Sequence, residues 1–126
     1  MVLTSIVVDD DPNTVEVFSD YLEILGMKVI GRGANGNDAV ELYKVLKPDV
    51  VFIDIMMPET DGVLAIEMIQ MFHKDAKIAA VTADTSDETT EILNKLGVKA
   101  IVHKPFDPDT IKHVLKEELC LEIESN

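Results

Sequence analysis

The chain has 126 residues, of which 47% are apolar and 28% charged, and it carries a formal net charge of −13. That is enough for one domain with a real core, and too apolar for a chain that stays disordered. The acidic balance argues against direct contact with a nucleic-acid backbone, the single cysteine, Cys120, excludes an intramolecular disulfide and a thiolate metal centre, and no run approaches the roughly 18 apolar residues of a membrane span.

The apolar start stops at Asp9, too early for a secretory leader. The expectation is a soluble, cytoplasmic protein of one domain, 1–126. Its core runs from about residue 5 to about 119, followed by a C-terminal tail at 120–126 that is expected to fray from Leu121. No repeat or Pro/Gly-rich linker divides it.

Along the chain, short Val/Ile-rich runs alternate with helical patterns. The run at 5–8 predicts a first strand. Asp11 and Pro12 then suit a helix cap and first turn, and Val15, Phe18, Leu22 and Leu25 recur at helical spacing until Gly26 stops them. A second strand at 28–30 precedes a stripe of Ala39, Leu42, Tyr43 and Leu46 that ends before Pro48. The run at 50–53 is the third strand, and Val63, Ile66 and Ile69 follow a turn at Asp61 and Gly62. The fourth strand, at 78–81, leads to a helix opened by Ser86, Asp87 and Glu88, carrying Ile92, Leu93 and Leu96, and closed by Gly97. The fifth, at 100–102, leads to a helix opened by Asp107 and Pro108 with Ile111, Val114, Leu115 and Leu119. Five short buried-type strands, each followed by a helix, predict an α/β fold with a parallel sheet covered on both faces. Alternation alone leaves the strand order open.

Ligands of such sheets bind beyond the carboxyl ends of the strands. Strand one ends on Asp9, Asp10 and Asp11, strand three on Asp54, strand four on Thr82, and strand five on His103, Lys104 and Pro105. Clustered carboxylates repel one another unless a cation relieves them, and Mg²⁺ prefers such hard oxygen ligands. Asp54 is the candidate nucleophile for a phosphoryl group. Lys104 and a divalent ion would offset charge on the transferring oxygens, and the Thr82 hydroxyl can donate to the same group. His73, His103 and His113 lack metal-ligand spacing and read as structural. Met56, Met57 and Cys120 read as packing residues.

Taken together, Val7-Val8-Asp9-Asp10-Asp11-Pro12, the run from Pro48 through Asp54 to Pro58, Asp61-Gly62, Val81-Thr82-Ala83 and Lys104-Pro105-Phe106 resemble the CheY-like receiver domain of two-component response regulators. The resemblance covers about residues 5–119. It implies a doubly wound, flavodoxin-like sheet of order 2-1-3-4-5 with five helices, an order the CheY family itself exemplifies. It implies Mg²⁺ (or Mn²⁺) held by Asp10, Asp54 and the Met56 backbone carbonyl, with Asp9 acting through water. It also implies a cis bond before Pro105. The phosphoryl group would come from a histidine kinase or phosphotransfer protein. The chain would be no enzyme on external substrates, catalysing only its own phosphorylation and dephosphorylation.

A downstream protein partner would meet the face of the fourth helix, fifth strand and fifth helix, with Glu91, Lys95, Lys99 and Lys112. Nucleic acid and membrane are not expected partners. The family's switch pair is Thr82 and an aromatic residue three positions before the lysine; here that position is Ile101, so an aromatic gate cannot operate. The positions two beyond Asp54 and Thr82, which tune the phosphoryl lifetime in the family, are Met56 and Asp84.

Three other readings compete. An aspartyl-phosphate phosphatase would want an acid two residues after the nucleophile, where Met56 stands. A flavin carrier would want a Ser/Thr/Gly-rich phosphate loop in place of Asp9–Asp11. A phosphorylation-independent interaction module would have no use for the acidic site.

Overall fold

Strand and helix alternate without interruption in the computed structural model, which describes residues 2–57, 62–98 and 100–121. The order is β1 (Thr4–Val8), α1 (Pro12–Ile24), β2 (Lys28–Gly33), α2 (Gly36–Leu46), β3 (Val50–Asp54), α3 (Gly62–Phe72), β4 (Ile78–Thr82), α4 (Asp87–Lys95), β5 (Ala100–His103) and α5 (Pro108–His113). A single π turn, Val114–Glu118, continues α5.

The five strands form one parallel sheet in the order β2-β1-β3-β4-β5, as the family resemblance implies. Strand period two divides its side chains between two cores. On one face Val7, Phe52, Val81 and Val102 meet Val15, Phe18 and Leu22 of α1 and Ile111 and Leu115 beyond β5. On the other, Ile6, Val8, Val51, Ile53 and Ala80 meet Ala39 and Tyr43 of α2, Ile66 and Ile69 of α3, and Leu93 of α4. Phe18 joins the first core to the loop after β5: its ring lies 4.9 Å from Phe52 and 4.8 Å, edge-on, from Phe106. Aromatic pairs of this kind each add about 0.5–1.5 kcal/mol beyond area burial. They fix the segment that carries Lys104.

The helix signals are realised locally. Asp11 accepts from the Asn13 N–H at 3.0 Å and the Thr14 hydroxyl at 3.0 Å, and Asp107 from the Thr110 N–H at 2.8 Å. Gly26 and Gly97 take φ of +92° and +78°, the left-handed conformation that ends a helix without a Cβ penalty.

Several expectations are corrected. On α2 the buried stripe is Ala39, Val40 and Tyr43. Leu46 is at the surface, because α2 overhangs the sheet edge and that side chain lies over Gly31 of β2. On α4 only Leu93 is buried, and Ile92 faces solvent. Met56 and Cys120 are exposed rather than packed, whereas Met57 is buried. Leu121, assigned to the frayed tail, packs on the first core, and its N–H donates to the Leu115 carbonyl at 2.9 Å. The remainder of that tail, and the expected features at Pro58, Asp61 and Lys99, lie outside the described residues.

At the sheet edge, the N–H of Ile101 in β5 donates to a Glu118 carboxylate oxygen at 3.0 Å, reaching across from the π turn. Tyr43 and His73 share a 2.7 Å hydrogen bond between the phenol and Nδ1. Burial pushes the Tyr43 phenol above its ordinary pKa. No helix among the described residues is long and apolar enough to cross a membrane.

Candidate phosphoryl-transfer site

The parallel register sets the site. β1 and β3 run side by side with Val8 opposite Ile53, so Asp9 and Asp54 emerge at the same level. Asp54 pairs with Val81, leaving Thr82 one step further along β4, opposite His103 of β5. The Lys104 N–H donates to the Thr82 carbonyl at 2.8 Å, and Lys104–Pro105 is cis.

This juxtaposition brings together Asp9, Asp10 and Asp54, whose nearest carboxylate oxygens lie within 4.8 Å of one another. Asp9 and Asp54 are buried while Asp10 reaches solvent. The Lys104 ammonium lies between the two buried acids, 2.8 Å from Asp9 Oδ2 and 3.3 Å from Asp54 Oδ2. Their other oxygens accept from backbone: Asp9 Oδ1 from the Asp11 N–H and Asp54 Oδ1 from the Met56 N–H, both at 2.9 Å. Thr82 is buried and its Oγ1 accepts from the Asp84 N–H at 2.9 Å, which leaves the hydroxyl proton free to be donated elsewhere. Beside Asp9 and Asp10 a groove of about 630 Å³ opens to solvent between α1 and the β2–α2 turn, lined in part by Glu16, Asp20, Arg32 and Asp38.

The electrostatics follow from burial. Desolvation raises the Asp54 pKa, and the Asp9 charge adds to it; the Met56 N–H and Lys104 pull the other way without cancelling the rise. Burial lowers the Lys104 pKa, but the hydrogen bond to Asp9 and the charges of both acids outweigh it, so the ammonium ends above 10.5. One lysine thus faces three carboxylates.

The donor set fits a small hard cation. It is all oxygen, it is under-neutralised, and its 4.8 Å span is close to the roughly 4.2 Å between opposed ligands of an octahedral Mg²⁺ at about 2.1 Å per bond. The Met56 carbonyl belongs to the backbone that turns around Asp54 Oδ1. Ile101 is set apart from the carboxylates: its half-buried side chain packs on the second core. Sequence reasoning missed the contacts that Asp84 makes. Its residue type was visible, but its partners lie on the following helix.

A fold with this strand order, and three acids, a threonine and a lysine at its strand ends, defines a class. The chain matches the response regulator receiver domain over residues 6–116, and it belongs to that family. It is a receiver domain of two-component signalling. It is 36% identical over 112 residues to the chemotaxis protein CheY of Thermotoga maritima, covering 89% of this chain and 93% of that one. It is 33% identical to the probable C4-dicarboxylate response regulator DctR of Halalkalibacterium halodurans, covering 89% of this chain but only 49% of that longer protein. Among solved structures, a chain of the CheX–CheY–BeF3–Mg complex of Borrelia burgdorferi superimposes with a TM-score of 0.88 at 25% identity, covering 95% of this chain and 90% of that one. The BeF3-activated DrrB receiver domain does so with a TM-score of 0.81 at 28% identity, covering 96% and 100%.

Proposed function

We propose that Asp54 accepts a phosphoryl group from a histidine kinase or phosphotransfer protein in a Mg²⁺-dependent reaction, and that the phosphorylated chain changes its binding to a downstream protein. The observation that carries this reading is the Lys104 ammonium set between buried Asp9 and Asp54, within an oxygen cluster that includes Asp10.

Asp9, Asp10, Asp54 and the Met56 carbonyl would hold the ion. When bound, Mg²⁺ supplies positive charge to the carboxylate and phosphoryl oxygens. An Asp54 carboxylate oxygen attacks phosphorus; the new O–P bond forms as the bond to the donor breaks, and the leaving group departs with that electron pair. Lys104 stands where it can offset charge on the incoming oxygens. The Thr82 hydroxyl donates to one of them. The groove beside Asp9 and Asp10 is the approach for the donor. The partner face is α4, β5 and α5, where Glu91 and Lys95 are exposed and pair with each other at 3.7 Å. Lys112 contributes its half-exposed stem there. The setting is the cytoplasm, where such kinases present their phosphoryl groups, and the chain is a phosphoacceptor rather than an enzyme on external substrates.

The test is incubation with acetyl phosphate or phosphoramidate, with and without Mg²⁺, read by intact mass. One added phosphoryl group that depends on Mg²⁺ is the expected result. No gain with any donor after rapid acid quenching removes the reading. A companion measurement follows the ion alone. Mg²⁺ should raise the melting temperature, with about 2.7 kcal/mol of stabilisation at a hundredfold excess over Kd, and Asp10→Asn should abolish most of that response. A wild-type melting curve indifferent to Mg²⁺ would contradict the assignment of the ligands.

A further inference from the structure

A change at Thr82 needs a route to α4, and Ile101, aliphatic and half-buried, offers no ring to rotate. Asp84 offers a different route. Its backbone N–H donates to Thr82 Oγ1 at 2.9 Å. Its carboxylate reaches forward to the first turn of α4: Oδ1 accepts from the Ser86 N–H at 2.8 Å and Oδ2 from the Thr89 hydroxyl at 2.5 Å. The Thr89 hydroxyl, and then the Ser86 N–H, hold the Asp84 carboxyl below the ordinary aspartate range, so it is a full charge in this network at neutral pH. Ser86 in turn caps the helix through the Thr89 N–H at 3.2 Å. Leu93, the one buried residue of α4, lies in the second half of the helix. One residue therefore grips the site threonine with its backbone and the helix with its side chain.

We propose that Asp84 is a positioning residue, a latch that ties Thr82 to the first turn of α4 and holds that helix in its unphosphorylated place. The proposal rests on Asp54 being the phosphoacceptor. When the Thr82 hydroxyl turns to a phosphoryl oxygen, Asp84 must either follow its acceptor or lose it. Following it drags Ser86 and Thr89 along; losing it frees the loop. Either way the first turn of α4 leaves its resting position. By linkage, cutting the latch in the resting protein removes part of the cost of that change and tightens binding of anything that favours the shifted state.

The experiment uses the full chain, with Mg²⁺ and beryllofluoride as the phosphoryl analogue, followed by backbone amide NMR. Asp84→Ala and Thr89→Val should each move the α4 amide resonances of the free protein toward their beryllofluoride-bound positions. Thr89→Val should bind beryllofluoride about fivefold more tightly, the worth of one net hydrogen bond, and Asp84→Ala at least as much. The double variant should add nothing beyond Asp84→Ala, because the contact that Thr89→Val opens is one of the two that Asp84→Ala removes. Thr89→Ser, which keeps the hydroxyl, should restore both readouts. Thr90→Val, a matched change whose hydroxyl bonds the Ser86 carbonyl and not Asp84, should move neither. Unmoved α4 resonances in Asp84→Ala and Thr89→Val overturn the latch, as does an equal effect from Thr90→Val. A wild-type protein that fails to bind beryllofluoride overturns the phosphoacceptor reading of Asp54 and the latch with it; wild-type binding with unmoved α4 overturns the latch alone.

Discussion

Asp54→Asn is expected to abolish phosphoryl uptake and, at neutral pH, to melt higher than the wild type. The first half follows from chemistry. An amide has no carboxylate oxygen to attack phosphorus, and loss of a nucleophile costs roughly three orders of magnitude or more. The second half follows from the site. Asp54 is buried, its pKa is raised by desolvation and then by Asp9, and Lys104 sits closer to Asp9 than to Asp54. A carboxyl whose folded pKa lies above its unfolded value binds its proton more tightly when folded. Its charge therefore costs stability above the folded pKa, and the cost is relieved as pH falls through that value toward 3.8. Asparagine removes the charge and keeps the shape. A gain on the order of 1 kcal/mol, about 4 °C, is expected at pH 7 without Mg²⁺. The gain should vanish below pH 3.8, where the wild-type carboxyl is protonated in both states. Melting curves from pH 3 to 8 check it. A variant that melts lower at neutral pH would mean that the Lys104 attraction outweighs desolvation.

Gly62→Ala should damage fold and site together. A Cβ at Gly62 would stand 2.5 Å from the Asp54 carbonyl oxygen and 2.5 Å from Ile55 Cα. Both neighbours are backbone, so neither can rotate away. The first turn of α3 would have to back off the end of β3, or the Asp54–Ile55 segment would have to yield. Overpacking of this kind costs about 1–3 kcal/mol, or roughly 4–12 °C in melting temperature. The same displacement would move the backbone that presents the Met56 N–H to Asp54 Oδ1, so Mg²⁺ affinity should fall as well. Denaturant unfolding and Mg²⁺ titration of the one variant measure both effects. A wild-type denaturation midpoint would show that the close approach is not a constraint.

The strands were legible because both faces of the sheet are covered. Val50, Val51, Phe52 and Ile53 are all buried, and a run of that kind in sequence has few other uses. The acids, Thr82 and Lys104 are legible because each follows such a run within two residues. β2 is longer than its sequence signal: the apolar run ends at Ile30, yet Gly31, Arg32 and Gly33 continue the pairing opposite Ile6, Val7 and Val8. Edge residues need only pair on one side, so their composition is free to drift. Long-range side-chain pairs left no local trace. Tyr43 and His73 are 30 residues apart, and Glu118 meets Ile101 across 17. The π turn after α5 was equally hidden, because Val114, Leu115 and Leu119 keep ordinary helical spacing. The Asp84 network was missed for another reason. Ser86 opens the helix as its residue type suggests, and a cap accounts for its own hydrogen bonds without pointing back to Asp84 two residues earlier.

The bond from Ile101 to Glu118 also bears on how the molecule behaves in a crowd of its own kind. β5 is an edge strand, and an edge strand offers its outward amides to any extended chain that comes alongside. Here one such amide is already taken by a carboxylate, which leaves a negative charge lying on the rim. A second copy bringing up its own β5 would meet a filled hydrogen-bond position and a like charge. On this side the sheet therefore ends at β5, and that edge is a poor template for a sixth strand.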